Sequence, residues 1–175
     1  PYVLAGVSTA ALGMAIPALI QLSGTLADVG YYRMGYGLMV GYAGMVFMAL
    51  EADYYPRLSS VNHSLKDFNR TINQQIDVCV LIVTPFLISL IVLMPWIIRL
   101  LFNEEFLVAE TMAVCAAFYT FLRAIMLPVS YSSLAKGDSM VFLIMEIASN
   151  LVMGLLFWWL YGKWGLAGAG VALSL

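Results

Sequence analysis

One guanidinium, three carboxylates and one amide interrupt stretches of chain that are otherwise almost wholly apolar: Arg123, Asp77, Glu146, Glu51 and Asn150. An ionisable group at such depth costs about 3 kcal/mol or more, and it marks a pathway or a satisfied pair. Arg123 precedes Lys136 by 13 residues, which places it about 20 Å from that end of a helix. Asp77 follows Arg70 by seven residues, about 10 Å deep. Glu146 follows Asp138 by eight, about 12 Å deep, with Asn150 a further turn in at about 18 Å. Glu51 is shallower. These groups crowd one half of the bilayer and its midplane. An aqueous cavity open to that side explains the pattern; so does an internal ion pair of Arg123 with Asp77 or Glu146, and the two readings are compatible.

Several chemistries have no residues to perform them. The only histidine, His63, sits in a polar connector, so no multi-histidine metal site forms within this chain. No Ser/His/Asp set lies at membrane depth, and no phosphate-cradling glycine loop follows a strand. The expectation is no catalytic residue and no metal centre. Cys79 and Cys115 lie inside apolar stretches and read as small hydrophobes. With a net charge of −2 and no basic block, nucleic acid is not an expected partner.

The elements that position these groups are legible from hydropathy. Hydrophobic residues make up 63% and charged residues 10% of the 175-residue chain, against about 25% charged in soluble domains. Residues 2–24, 30–56, 71–101, 106–135 and 139–161 each approach or exceed the roughly 20 apolar residues that span a bilayer. A sixth run opens at Gly165 and reaches Leu175. The fold class is therefore all-α: a polytopic transmembrane bundle with five complete spans and the start of a sixth, expected to be a piece of a larger membrane protein. Pro1 brings no charged leader, so the first span is not expected to be a signal peptide.

Calling the membrane faces X and Y, Arg57, Lys66, Arg70 and Lys136 collect on X and Arg33, Arg99 and Lys163 on Y. The positive-inside rule makes X cytoplasmic. In the connector over 57–70, Leu58, Val61, Leu65, Phe68 and Ile72 form one apolar stripe. It reads as an interfacial amphipathic helix or as a simple junction anchoring two spans. Gly37 and Gly41 form a small-xxx-small pair expected to pack inside the bundle. Pro17, Pro85 and Pro128 interrupt three spans, as in transporters whose helices bend. Asn103 is expected to cap the fourth span, with Glu104 and Glu105 in its first turn.

Gly41-Tyr42-Ala43-Gly44 and Ala49-Leu50-Glu51-Ala52-Asp53-Tyr54-Tyr55-Pro56-Arg57-Leu58-Ser59 together resemble the eighth helix of Wzx-type polysaccharide and O-antigen flippases. Those belong to the MOP superfamily, with the MATE drug exporters and the lipid II flippases. The likeness continues through Ile72-Asn73-Gln74-Gln75, Leu100-Leu101-Phe102, Ala135-Lys136-Gly137-Asp138 and Trp164-Gly165-Leu166-Ala167-Gly168. It implies the C-terminal lobe of a two-lobe transporter whose N-terminal lobe is the other partner. It also implies a multi-pass protein of the bacterial inner membrane, moving a lipid-linked oligosaccharide on undecaprenyl pyrophosphate by alternating access. The resemblance makes Arg123 the substrate-binding cation. It makes Glu146 and Asn150, with Asp77, candidates for coupling to Na+ or H+, with no other cofactor; the matching helix of the lipid II flippases also carries an acid and an amide, in the opposite order. Alternatives are a MATE-like exporter of small cations, a membrane-embedded glycan polymerase or ligase, and a non-transporting scaffold.

Overall fold

A computed structural model describes residues 2–174. Every regular element among them is helical: α1 (Tyr2–Ser23), α2 (Leu26–Tyr36), a π-helical turn (Gly37–Gly41), α3 (Tyr42–Ser60), α4 (Leu65–Leu101), a 3-10 turn (Glu104–Ala109), α5 (Glu110–Ala135) and α6 (Ser139–Ser174). Since α2, the π turn and α3 run on without a break, five helices are long and apolar enough to cross a membrane. Helix is what lipid demands, because it satisfies each backbone donor and acceptor within its own segment.

The bundle is organised round α5, which packs on α4, on α6 and on the α2–α3 rod, while α1 closes against α6 and α2. Composition explains that central place. Ala113, Ala116, Ala117, Thr120 and Ala124 are all buried on α5, and such small side chains let neighbouring backbones approach closely. Thr120 keeps its hydroxyl satisfied by donating to the Ala116 carbonyl at 2.7 Å.

At Gly165 the backbone takes φ 57° and ψ −135°, so α6 breaks there and the chain turns back. The run after the break is buried: Gly168, Ala169, Gly170, Ala172 and Leu173. A side chain at Gly168 would collide with the Leu160 carbonyl, and one at Gly170 would come within 2.9 Å of Cys115 Cβ. The sixth apolar run is therefore a second leg packed on α5.

The 57–70 connector is not one interfacial helix. Residues 57–60 finish α3, a turn crosses 61–64, and α4 opens at Leu65 behind Ser64, whose side chain caps Asp67 N–H. Most of the apolar stripe turns inward, whereas Leu65 is 69% exposed. Leu58 and Phe68 are fully buried with Tyr54 and Ala135, flanked by Val61, Ile72 and Tyr131. With 37 residues, α4 is about 55 Å long, well beyond a hydrocarbon core of about 30 Å. Its polar opening turns need not lie in lipid.

Two smaller expectations also change. Methyls built on Gly37 and Gly41 would meet nothing within 4 Å, whereas one on Gly35 would press on Met112 Sδ at 2.7 Å. Close packing falls to Gly35, because the small-xxx-small pair faces away from the bundle. Asn103 stands at the N-cap with extended backbone, but its side chain makes no capping bond, and a 3-10 turn intervenes before α5.

Gly170→Val should overpack the α5–α6 contact and destabilise the protein by about 1–3 kcal/mol. Gly41→Val should change stability much less. Thermal unfolding of the purified variants in one detergent compares them directly, and equal losses would contradict this packing.

Candidate functional site

Arg123 lies on α5 twelve residues from Ala135 and thirteen from Glu110, hence about 18–20 Å from either end and near the midplane. Its side chain is half-buried. Arg123 Nη1 donates to the Tyr119 hydroxyl, one turn back on α5, at 3.3 Å. Tyr36, at the end of α2, and Glu146, on α6, are the other groups whose charge or dipole it feels. The ion pair that might have neutralised it is not formed. Among the described residues the one ion pair joins Arg57 and Asp53, 3.8 Å apart at the X end. A cation at this depth is held here by a phenol and by no contacting carboxylate among the described residues.

Glu146 and Asn150 belong to a second polar knot, between α6 and α1. Thr9 Oγ1 donates to Glu146 Oε1 at 2.8 Å. Asn150 Nδ2 donates to Ser8 Oγ at 3.1 Å and to Thr9 Oγ1 at 3.2 Å. The Ala5 carbonyl, 3.2 Å from Thr9 Oγ1, offers that hydroxyl an alternative acceptor. Two hydroxyls, a carboxylate and an amide thus converge at mid-depth. Rotating the Asn150 amide would turn Oδ1 inward and make the knot rich in oxygen donors. Hard cations take such donors, and a proton on Glu146 would satisfy the same network. No cluster of three or more His, Cys, Asp or Glu occurs among the described residues.

Asp77 stands apart from both. It is exposed on α4 and has no hydrogen-bond partner among the described residues. The buried face of α4, carrying Gln75, Cys79 and Val83, meets α3 and α5, whereas Glu146 meets α1. Asp77 does not share a site with Glu146 and Asn150.

At the X end the Asp53–Arg57 segment works as an anchor. Tyr54 is fully buried and donates to the Pro128 carbonyl at 2.8 Å. Arg57 Nη2 donates to Gln75 Oε1 at 2.9 Å. Together they tie α3 to α5 and α4. Beside that anchor lies an open cleft of about 590 Å³, walled by Met48, Glu51, Ala52, Tyr55 and Pro56 of α3 and by Tyr131 and Leu134 of α5. Tyr131 donates to Glu51 Oε2 at 2.7 Å.

Sequence reasoning missed Ser8, Thr9, Tyr36 and Tyr119. A signal for the first two existed, since Ser8-Thr9 is the only polar pair in the first span between Tyr2 and Gln21. Tyr119 had one as well, lying four residues before Arg123 on the same helix, whereas nothing in the sequence marked Tyr36.

Membrane-crossing helices that carry a lone cation and a hydroxyl–carboxylate–amide knot at mid-depth define a multi-pass membrane protein with a polar internal site. Residues 4–111, more than half of the chain, match the family described as polysaccharide biosynthesis protein. The chain belongs to that family, and its role lies in polysaccharide biosynthesis. The match runs from α1 to the first turn of α5, so it includes the Asp53–Arg57 anchor and ends before Arg123. No protein of curated function and no solved structure matches the chain.

A double-mutant cycle tests the α1–α6 knot. Thr9→Val and Glu146→Ala should be coupled by about 0.6 kcal/mol, the usual size for a hydrogen bond between membrane helices. Thr9→Val with Asp77→Ala should show no coupling. Denaturant unfolding of the reconstituted variants reads both, and a null result for the first pair would contradict the contact.

Proposed function

We propose that the protein is a flippase, not an enzyme. It moves a lipid-linked oligosaccharide, carried on undecaprenyl pyrophosphate, across the bacterial inner membrane by alternating access, in polysaccharide and lipopolysaccharide assembly. The chain forms the C-terminal wall of the cavity, and an N-terminal lobe of the same protein supplies the facing wall. One observation carries the reading: Arg123 sits at mid-bilayer, aimed by Tyr119 and unpaired with any contacting carboxylate. A doubly charged pyrophosphate cannot enter hydrocarbon without a cation to meet it. Arg suits the task, because its planar fork of donors matches phosphate oxygens bidentately and stays charged throughout.

Glu146 supplies the coupling. It lies within electrostatic reach of Arg123 and is held by Thr9, in the knot that includes Asn150 and Ser8. An ionised Glu146 competes with the substrate for the field of Arg123. Binding H+ or Na+ at the knot cancels that competition and strengthens the grip of Arg123 on phosphate; losing the ion weakens it. Such linkage is reciprocal, so substrate binding also favours ion uptake. Asp77 has no part in it. A MATE-like exporter of small cations is the second reading, favoured by the same oxygen-rich knot; it has no use for Arg123.

Arg123→Ala in the full-length protein should reduce glycan export at least tenfold with normal membrane levels, while Arg123→Lys keeps the charge, loses the fork and retains part of the activity. Normal export from Arg123→Ala would remove the proposal. Glu146→Gln should abolish the response of flipping rate to an imposed proton or sodium gradient in proteoliposomes. An unaltered response would show that Glu146 carries no coupling.

A further inference from the structure

The cleft at the X-side half has a chemistry the flippase reading does not use. Glu51 Oε2 is held by the Tyr131 hydroxyl, whereas Oε1 has no hydrogen-bond partner among the described residues. The Tyr55 ring stands edge-on to that of Tyr131, centroids 6.2 Å apart, and is 39% exposed. Its hydroxyl likewise has no partner among the described residues. Pro56, Met48, Ala52 and Leu134 complete an otherwise apolar wall. The site thus offers a fixed carboxylate, an exposed aromatic face and an apolar floor, positioned by the rigid Tyr54–Pro128 tie directly behind it. Pockets of this kind bind through apolar surface and take their specificity from a few convergent polar groups.

We infer that this cleft is a sugar subsite: Tyr55 packs against the C–H face of a pyranose ring, and Glu51, oriented by Tyr131, accepts hydrogen bonds from adjacent sugar hydroxyls. The inference rests on the flippase reading for the identity of the cargo and adds where its glycan is held. Three features lead to a sugar. The family handles polysaccharide. A carboxylate is acceptor-only, matching a polyol that presents hydroxyl donors, and charge assistance makes such bonds strong. Finally, Tyr131 and Arg123 lie on the same helix eight residues apart, about 12 Å, so one extended substrate can touch both, with pyrophosphate on Arg123 and its nearest sugars in the cleft. Recognition then has two points, a charge-reading one at mid-depth and a glycan-reading one toward X. A carrier lipid without sugar would engage only the first.

The experiment uses the full-length protein in nanodiscs and two probes, undecaprenyl pyrophosphate and the lipid-linked oligosaccharide extracted from export-deficient cells. Glu51→Gln, at a half-buried position, and Tyr55→Ala, at an exposed one, are the variants. Each should weaken the oligosaccharide probe about tenfold, the effect of losing one charge-assisted bond or one stacked face, and leave the sugar-free probe unchanged. Arg123→Ala should weaken both probes. Equal effects of the cleft variants on the two probes, or none on either, overturn the subsite. Tetraethylammonium binding that Glu51→Gln abolishes, with oligosaccharide binding intact, also overturns it, because the cleft is then an organic-cation box. If Arg123→Ala leaves both probes unchanged while the cleft variants still discriminate, the role of Arg123 fails and the sugar subsite stands.

Discussion

A guanidinium in the middle of a bilayer needs a polar neighbour to aim it and an aqueous surface to face, and the arrangement of this bundle follows from meeting both needs. The first is met on α5 itself, where Tyr119 lies one turn from Arg123 and the intrahelical spacing of four residues brings the two side chains together. The second requires that α5 be central yet not enclosed. Its alanine face sinks between α2, α4 and α6, while the Arg123 flank stays half-open. Without the small residues the helix could not sit so deep among its neighbours.

Stiffness and looseness are distributed along the same axis. The X end is tied by the Tyr54 hydroxyl to the Pro128 carbonyl, by Arg57 to Gln75, and by an apolar plug of Leu58, Phe68 and Ala135. Pro128 cannot donate a backbone N–H, yet its carbonyl serves as the acceptor that holds α3, so the residue that interrupts α5 also secures it. At mid-depth the contacts change character. The α2–α3 rod passes through a π turn where a side chain at Gly37 or Gly41 would meet open space, and α1 meets α6 through hydroxyl and amide groups. Hydrogen bonds between membrane helices contribute modestly, about 0.6 kcal/mol each, so this part of the interface can be rearranged at small cost while the X end is kept whole.

Residue counting placed Arg123, Glu146, Asn150 and Glu51 within spans, and each lies in a helix long and apolar enough to cross a membrane. What counting could not supply is azimuth. Asp77 has the right depth for the ion knot and the wrong face: successive residues on a helix turn by about 100°, and the buried side of α4 is taken by Gln75, Cys79 and Val83. The same gap explains Gly37 and Gly41. Their four-residue spacing is a sound packing signal, but Gly35, with no such spacing to mark it, is the residue pressed against Met112. Of the stripe at 57–70, Leu58 and Phe68 share one buried face, whereas Leu65 stays exposed. Only the fold showed that Ala135 and Tyr54 await that face, so that it turns inward and not onto lipid.

Hydropathy alone determined that the chain is helical, that it crosses the membrane repeatedly, and that a few charged groups sit where hydrocarbon would not tolerate them, because transfer from water to lipid depends on composition and length and hardly on partners. The tertiary structure decided which of those groups meet. Glu146 joins Thr9 across 137 positions of chain, Glu51 joins Tyr131 across 80, and Arg123 has no ion partner among the described residues. Such encounters depend on how each helix is rotated about its axis, and that rotation is set by shape complementarity among small and large side chains on neighbouring helices, a property of pairs that no single stretch of sequence contains.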